Sequence, residues 1–117
     1  MRTFFQTSMF SAKLDGLRGA ALLLELIETE ILSNPEAGAM IPRCGGVQKL
    51  RVKDPTLAEG KSGGYRVLHF DLSDRERTYL ITFNGKREAD NISAGGKKLV
   101  RGIAHAIREE QKWQNQK

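Results

Sequence analysis

Six cations, far apart along the chain, fall on segments that would meet in one small sheet: Lys49, Arg51, Lys61, Arg66, Lys86 and Arg87. Lys49 and Arg51 alternate with apolar neighbours in Gln48-Lys49-Leu50-Arg51-Val52, so both project from one strand face. Arg66 shares a face with Leu68 and Phe70 in the run Tyr65 to Asp71. A guanidinium there can meet two phosphate oxygens at once, and its burial is costly unless a carboxylate or phosphate meets it. Lys61 lies in Gly60-Lys61-Ser62-Gly63-Gly64, where glycines permit unusual backbone angles and close approach by a ligand. Lys86 and Arg87 follow Gly85 at the end of the last expected strand, and Lys53 extends the basic run past Val52. Brought together, these groups would hold a phosphate backbone. Each also has an ordinary alternative. Arg66 would pair with Asp71 or Glu88, Lys49 and Arg51 would cover a solvated sheet face, the glycines would form a plain turn, and the loop charges would sit in water.

Other chemistries are poorly served. Glu59-Gly60-Lys61-Ser62 resembles the end of a nucleotide-binding loop, but Pro55 stands where that pattern needs glycine. Gly63-Gly64 also leads into a β-rich run, whereas a phosphate loop must open a helix. Two histidines and one cysteine, widely separated, make no metal constellation. His69 would point away from Arg66 on a regular strand, and a structural histidine is its default. His105 sits on the last helix, and Trp113 reads as a packing or partner-contact residue. With 7% aromatic residues, a broad stacking surface for single strands is not evident.

The elements that must position the cations follow from periodicity and stop signals. Thr3 to Gln6 reads as a strand, Ser8 caps a helix to Leu14, and Asp15 caps a second helix from about Leu17 to Ser33. Leu23, Leu26, Ile27 and Ile31 give that helix its core stripe, and Asn34-Pro35 ends it. Gly38 to Gly46 reads as a connection. Strands follow at 47–52, 65–71 and 78–83, with Asp54-Pro55 closing the first. Ser93 caps a last helix to about Trp113, with Leu99, Ile103, Ala106 and Ile107 as its stripe and a weak first turn at Gly95-Gly96. The order is strand, two helices, three strands, helix. It predicts one α+β domain over 1–117, a mainly antiparallel sheet with two N-terminal helices and a C-terminal helix.

Composition agrees with a globular chain carrying an anionic partner. The 117 residues include 39% hydrophobic and 28% charged side chains with a net charge of +5. Residues 1–42 hold three basic and five acidic side chains, so the basic excess comes from Arg43 onward. Cys44 has no partner for a disulfide, which fits a reducing cytoplasm. The start lacks an apolar signal-peptide run. The longest apolar stretch, Ala20 to Leu24, is far too short to span a membrane.

Four motifs in register lift the set of cations. Asn34-Pro35-Glu36-Ala37-Gly38 with Ile41-Pro42, then Gly45-Gly46-Val47-Gln48-Lys49-Leu50-Arg51, then Gly60 to Val67, then Gly85-Lys86-Arg87-Glu88 together resemble the RelE/HigB toxins of bacterial type II toxin–antitoxin pairs. The resemblance runs from Phe4 to the last helix. It implies a β-α-α-β-β-β-α fold and a cytoplasmic, ribosome-dependent endoribonuclease that cleaves messenger RNA without metal or cofactor. It also implies a cognate antitoxin, of helix-turn-helix type, and operator DNA bound through the antitoxin complex. In that family's pattern Lys49 and Arg51 match the paired strand cations, Arg66 the central arginine and Arg87 the basic residue after the last strand. Arg66, Lys49, Lys61 and Arg87 are then the expected catalytic residues, with Arg51, Lys86 and Lys53 binding RNA. The chain departs from the pattern at Asn84, where many relatives carry tyrosine, near Ser93, where others carry one, at Arg51, often lysine, and at Ser62, often basic. Those departures leave two rival expectations: a catalytically weak RNA- or antitoxin-binding module, and a gyrase inhibitor of the related ParE branch.

Overall fold

The computed structural model describes residues 2–57, 64–85 and 93–115. Its elements, in order, are β1 (Thr3–Gln6), α1 (Ser8–Leu14), α2 (Ala20–Ser33), β2 (Ala39–Met40), β3 (Gln48–Val52), β4 (Tyr65–Leu72), a 3-10 turn (Ser73–Arg75), β5 (Arg77–Gly85) and α3 (Ala94–Asn115). The strands form one sheet in the order β1-β5-β4-β3-β2, antiparallel except for the parallel β1–β5 pair. The fold is therefore α+β with a mainly antiparallel sheet, as the element order predicts. No described helix is long and apolar enough to cross a membrane.

The sheet is covered on both faces. Leu50, Val52, Val67, Leu80 and Phe83 pack against Phe10 of α1 and Leu23, Ile27 and Ile31 of α2. Val47, Leu68, Phe70 and Ile81 pack on the other face against Val100 and Ala104 of α3, with Ile41 and Cys44 closing the side. The period-2 patterning of β3 and β4 places these residues as expected.

Four local expectations are corrected. Thr7, not Ser8, caps α1: its Oγ1 accepts the Phe10 N–H at 3.1 Å and donates to the Ile81 carbonyl at 2.6 Å. Asp15 ends α1, and α2 opens later, at Gly19 with φ 74°. The connection from Gly38 to Gly46 contributes the short edge strand β2, because Ala39 and Met40 pair with Lys49 and Gln48. The stripe of α3 is rotated by one residue: Val100 and Ala104 are buried, Ile103 and Ile107 flank them, and Leu99 and Ala106 are exposed. The helical period holds and the phase differs, because the turn carrying Cys44 and Gly45 packs on the Ala104 side of the helix. Ser93 does cap α3, its Oγ accepting the Gly96 N–H at 3.0 Å. The side chain of Trp113 lies outside the described residues.

β5 carries an irregularity that no sequence pattern announces. Leu68 opposes Thr82 and His69 opposes Leu80, leaving Ile81 as the extra residue. Such a bulge resets the alternation. Leu80 and Phe83 both enter the core under α1 and α2, while Ile81 and Thr82 both turn toward α3.

Gly38 sets the edge of the sheet. Its φ is 96°, and a Cβ there would stand 2.3 Å from the Lys49 carbonyl oxygen. Substitution by alanine meets both a left-handed backbone and a backbone clash. Gly38→Ala is expected to lower unfolding stability by at least about 2 kcal/mol, read as an earlier urea midpoint. An unchanged midpoint would mean that β2 can detach at no cost.

Candidate functional site

A cleft of about 530 Å³ opens on the α3 face of the sheet. Its floor is a grid of strand residues. Across the sheet, Ala39, Lys49, Leu68 and Thr82 form one row, and Arg51, Arg66 and Asn84 form the next. The first turn of α3 supplies one wall through Ser93, Gly96 and Lys97, with Leu99 and Val100 above. Met9 and Lys13 of α1 close one end, and Met40, Ile41 and Pro42 form the opposite lip. Glycines 95 and 96 carry no side chains into this space, so α3 covers the sheet at Val100 and Ala104 but leaves it open over Arg66.

The cleft is electropositive by construction. Lys13, Lys49, Arg66 and Lys97 line it, and no carboxylate does so among the described residues. Arg66 is only 7% exposed, so its charge stands in a low-dielectric wall where a facing anion is felt strongly. Arg51 lies directly opposite Arg66 on the neighbouring strand, a like-charge juxtaposition that works against sheet stability. Lys49 is the diagonal neighbour of Arg66, about 7–8 Å away between Cα positions in such a pair. The dipole of the 22-residue α3 adds partial positive charge at its N-terminal end, beside the cleft. Lys13 is held in place, its Nζ donating to the Phe83 carbonyl at 2.9 Å and to Asn84 Oδ1 at 2.6 Å.

Of the cations anticipated from sequence, Lys49 and Arg66 line the cleft together. Arg51 adjoins it on the exposed surface, and Lys53, exposed, follows at the end of β3 without lining it. Lys61, Lys86 and Arg87 lie outside the described residues. Asp71 does not serve Arg66. It faces the other side of the sheet, where it accepts from Arg2, Thr78 Oγ1 and His69. His69 is fully buried, with Nδ1 2.9 Å from Asp71 Oδ2 and Nε2 3.1 Å from the Ala37 carbonyl. It ties the connection after α2 to the sheet and is remote from the cleft face. His105 is exposed on α3 and does not line the cleft.

Sequence inspection misses Lys13, Lys97 and Thr82. The two lysines stand on helices, where only packing tells which cation faces the sheet. Thr82 reads as one more β-former, and only the bulge turns it to the cleft side. Asn84 and Ser93, two of the four departures noted from the RelE/HigB resemblance, both line the cleft. No histidine, carboxylate or phenol lines it among the described residues. Tyr65 packs edge-on against Phe83 on the opposite face; burial first, then the charge of Asp54, raises its phenol above the usual value near 10, so it stays neutral at physiological pH. The groups able to move protons in the described cleft are therefore lysines. The surface is suited to grip a phosphodiester and to shelter an apolar or base-like moiety against Met9, Met40 and Leu99.

No protein-family model matches the chain.

Thr82 is 7% exposed, and its Oγ1 is buried with no hydrogen-bond partner among the described residues. A buried hydroxyl in that state weakens the fold. Thr82→Val is expected to raise unfolding stability by about 1 kcal/mol, measured by urea titration. A drop of similar size would show that the hydroxyl is already satisfied within the protein.

Proposed function

We propose that this chain is the toxin of a type II toxin–antitoxin pair, of RelE/HigB type, and that it cleaves messenger RNA on the ribosome. The observation that carries this reading is the cleft in which Lys49, Arg66, Lys13 and Lys97 converge without a lining carboxylate among the described residues. Two further observations favour it. Lys49 and Arg66, the central cations of the motif resemblance, share this cleft, and it is also lined by Asn84 and Ser93, at or near which relatives of that pattern carry a tyrosine.

The chemistry is transfer of phosphorus within the strand. The RNA 2′-oxygen loses its proton and attacks the adjacent phosphorus, the bond to the 5′-oxygen breaks, and that oxygen takes up a proton. A cyclic phosphate and a free 5′-hydroxyl result. Arg66 stabilises the charge that grows on the non-bridging oxygens. Lys49 or Lys61 serves in proton transfer. Arg51, Arg87, Lys86 and Lys53 hold flanking phosphates. Much of the rate comes from aligning the attacking and leaving oxygens, which the ribosome and the cleft do jointly. The antitoxin, of helix-turn-helix type, blocks the cleft or its approach, and the complex binds operator DNA. The site works in the cytoplasm and uses no metal or cofactor.

One observation favours a second reading, an RNA-binding module without chemistry: among the described residues the cleft lacks a histidine, carboxylate or phenol. Primer extension on translated message separates the two. The wild type should give ribosome-dependent cuts. Arg66→Ala should reduce them by about 100- to 1,000-fold, as removal of an oxyanion donor does. Lys49→Arg, which keeps the charge but removes the titratable amine, should retain RNA binding and lose at least about 100-fold in cleavage. Absence of cuts by the wild type would favour the binder. Inhibited DNA supercoiling in its place would assign the chain to ParE-like action.

A further inference from the structure

Outside the cleft, a second group of cations stands along α3. Lys97 lines the cleft itself. Arg101 and Arg108 follow at four and eleven residues further on, so all three fall within a sector of about 40° and span about 16 Å of the helix. Ala104, between them on the same side, is fully buried against the sheet, which fixes this side of α3 at the border of the packed face. Arg43 stands alongside, in the turn that follows Pro42 at the lip of the cleft.

Arg101 and Arg108 each have a side-chain contact that places them. Arg101 Nη1 donates a long hydrogen bond, 3.4 Å, to the Arg43 carbonyl. Arg43 itself adopts φ 61°, a left-handed backbone that is strained for a residue with a Cβ. The guanidinium of Arg108 lies over the ring of Phe70, 4.7 Å from its centroid, and against Gly46, where an added Cβ would come within 2.7 Å of Nη2. The stack occupies one face of the guanidinium and leaves its positive charge at the surface beside the Gly45-Gly46 turn. All three arginines are exposed, and none forms an ion pair with a carboxylate of the described residues. Along this side of α3 Lys97, Arg101 and Arg108 carry one sign in a row that begins inside the cleft, and Glu36 and Asp71 line the small pocket that Arg108 borders at its far end.

We propose that Lys97, Arg101 and Arg108, with Arg43 beside them, form a track that carries the phosphates of a single-stranded RNA out of the cleft and along α3. The proposal rests on the nucleic-acid reading of the cleft and extends its footprint. The strand crosses the Ile41-Pro42 lip and meets Arg101 and then Arg108. A polyanion is favoured over an acidic protein segment because the row is continuous with Lys97 at the place where the phosphodiester is held. The track touches phosphates alone and adds affinity without sequence preference.

The test is binding of 2′-O-methyl RNA, which lacks the attacking hydroxyl, by fluorescence anisotropy at several salt concentrations. Two probes are used: one of about three nucleotides, which fills the cleft only, and one of about twelve. The variant Arg101→Gln/Arg108→Gln keeps the aliphatic stems that pack against the turn. For the longer probe its plot of log K against log salt should be shallower by about 1.4, which is about 0.7 for each phosphate left without its arginine. The short probe should bind wild type and variant alike, and Arg18→Gln, in the exposed connection after α1, should leave both slopes unchanged. Arg101→Gln alone, with an expected change of about 0.7, serves if the double variant unfolds early. An unchanged slope with the longer probe overturns the track while leaving the cleft intact, and so does an equal weakening with both probes. Weakening seen only toward a polyglutamate peptide assigns the row to a protein and overturns it too. Failure of the wild type to bind either RNA overturns the track and the nucleic-acid reading together.

Discussion

The placement of Arg66 on the inner face of a central strand constrains everything around it. A guanidinium this deeply buried must be compensated by charge and hydrogen bonding, and it sits directly opposite a second arginine. Nothing in hydrophobic packing favours that arrangement. Leu68 and Phe70, two and four residues further along the same strand face, show what packing alone would place there. The sheet is sealed by Val100 and Ala104 over those two residues and left open over Arg66, where α3 begins with small residues. The cleft is thus the unsealed end of an otherwise ordinary core.

Several small devices keep that end in shape. The bulge at Ile81 turns Thr82 to the cleft side without breaking the apolar sequence of Leu80 and Phe83 on the other face. Thr7 binds the bulged strand through the Ile81 carbonyl and caps α1 with the same oxygen. Through α1 it also sets the height of Lys13, which bonds to the strand next to Asn84. On the far edge, Gly38 lets the chain pass close enough to Lys49 for Ala39 and Met40 to pair with β3 and lead into the lip. One cluster on the other face, Arg2, His69, Asp71 and Thr78, joins the connection after α2 and the first residues of the chain to β4 and β5. The histidine therefore contributes to the frame and stands apart from the cleft.

Much of this is legible in the chain. Period-2 alternation puts Lys49 with Arg51 and Arg66 with Leu68, and helical spacing finds Leu23, Ile27 and Ile31. Alternation also sets His69 on the face away from Arg66, where it proves to be structural. What the chain does not show are relations between elements. The phase of α3 depends on which turn packs against it, so Leu99 reads as core and instead rims the cleft. The same dependence hides Lys97 and Lys13, since a helix displays cations on every side. The bulge leaves no compositional mark among Leu80, Ile81, Thr82 and Phe83, and it hides Thr82 with it.

Whether Arg66 grips a phosphodiester in this cleft is read most directly by side-chain NMR. With the arginine Nε–H groups resolved, the protein is titrated with an uncleavable 2′-O-methyl dinucleotide. The Arg66 signal should shift saturably, together with the backbone amides of Thr82 and Lys97, while Arg2, on the opposite face, stays in place. Shifts confined to other arginines, with Arg66 unmoved at saturation, would contradict the assignment.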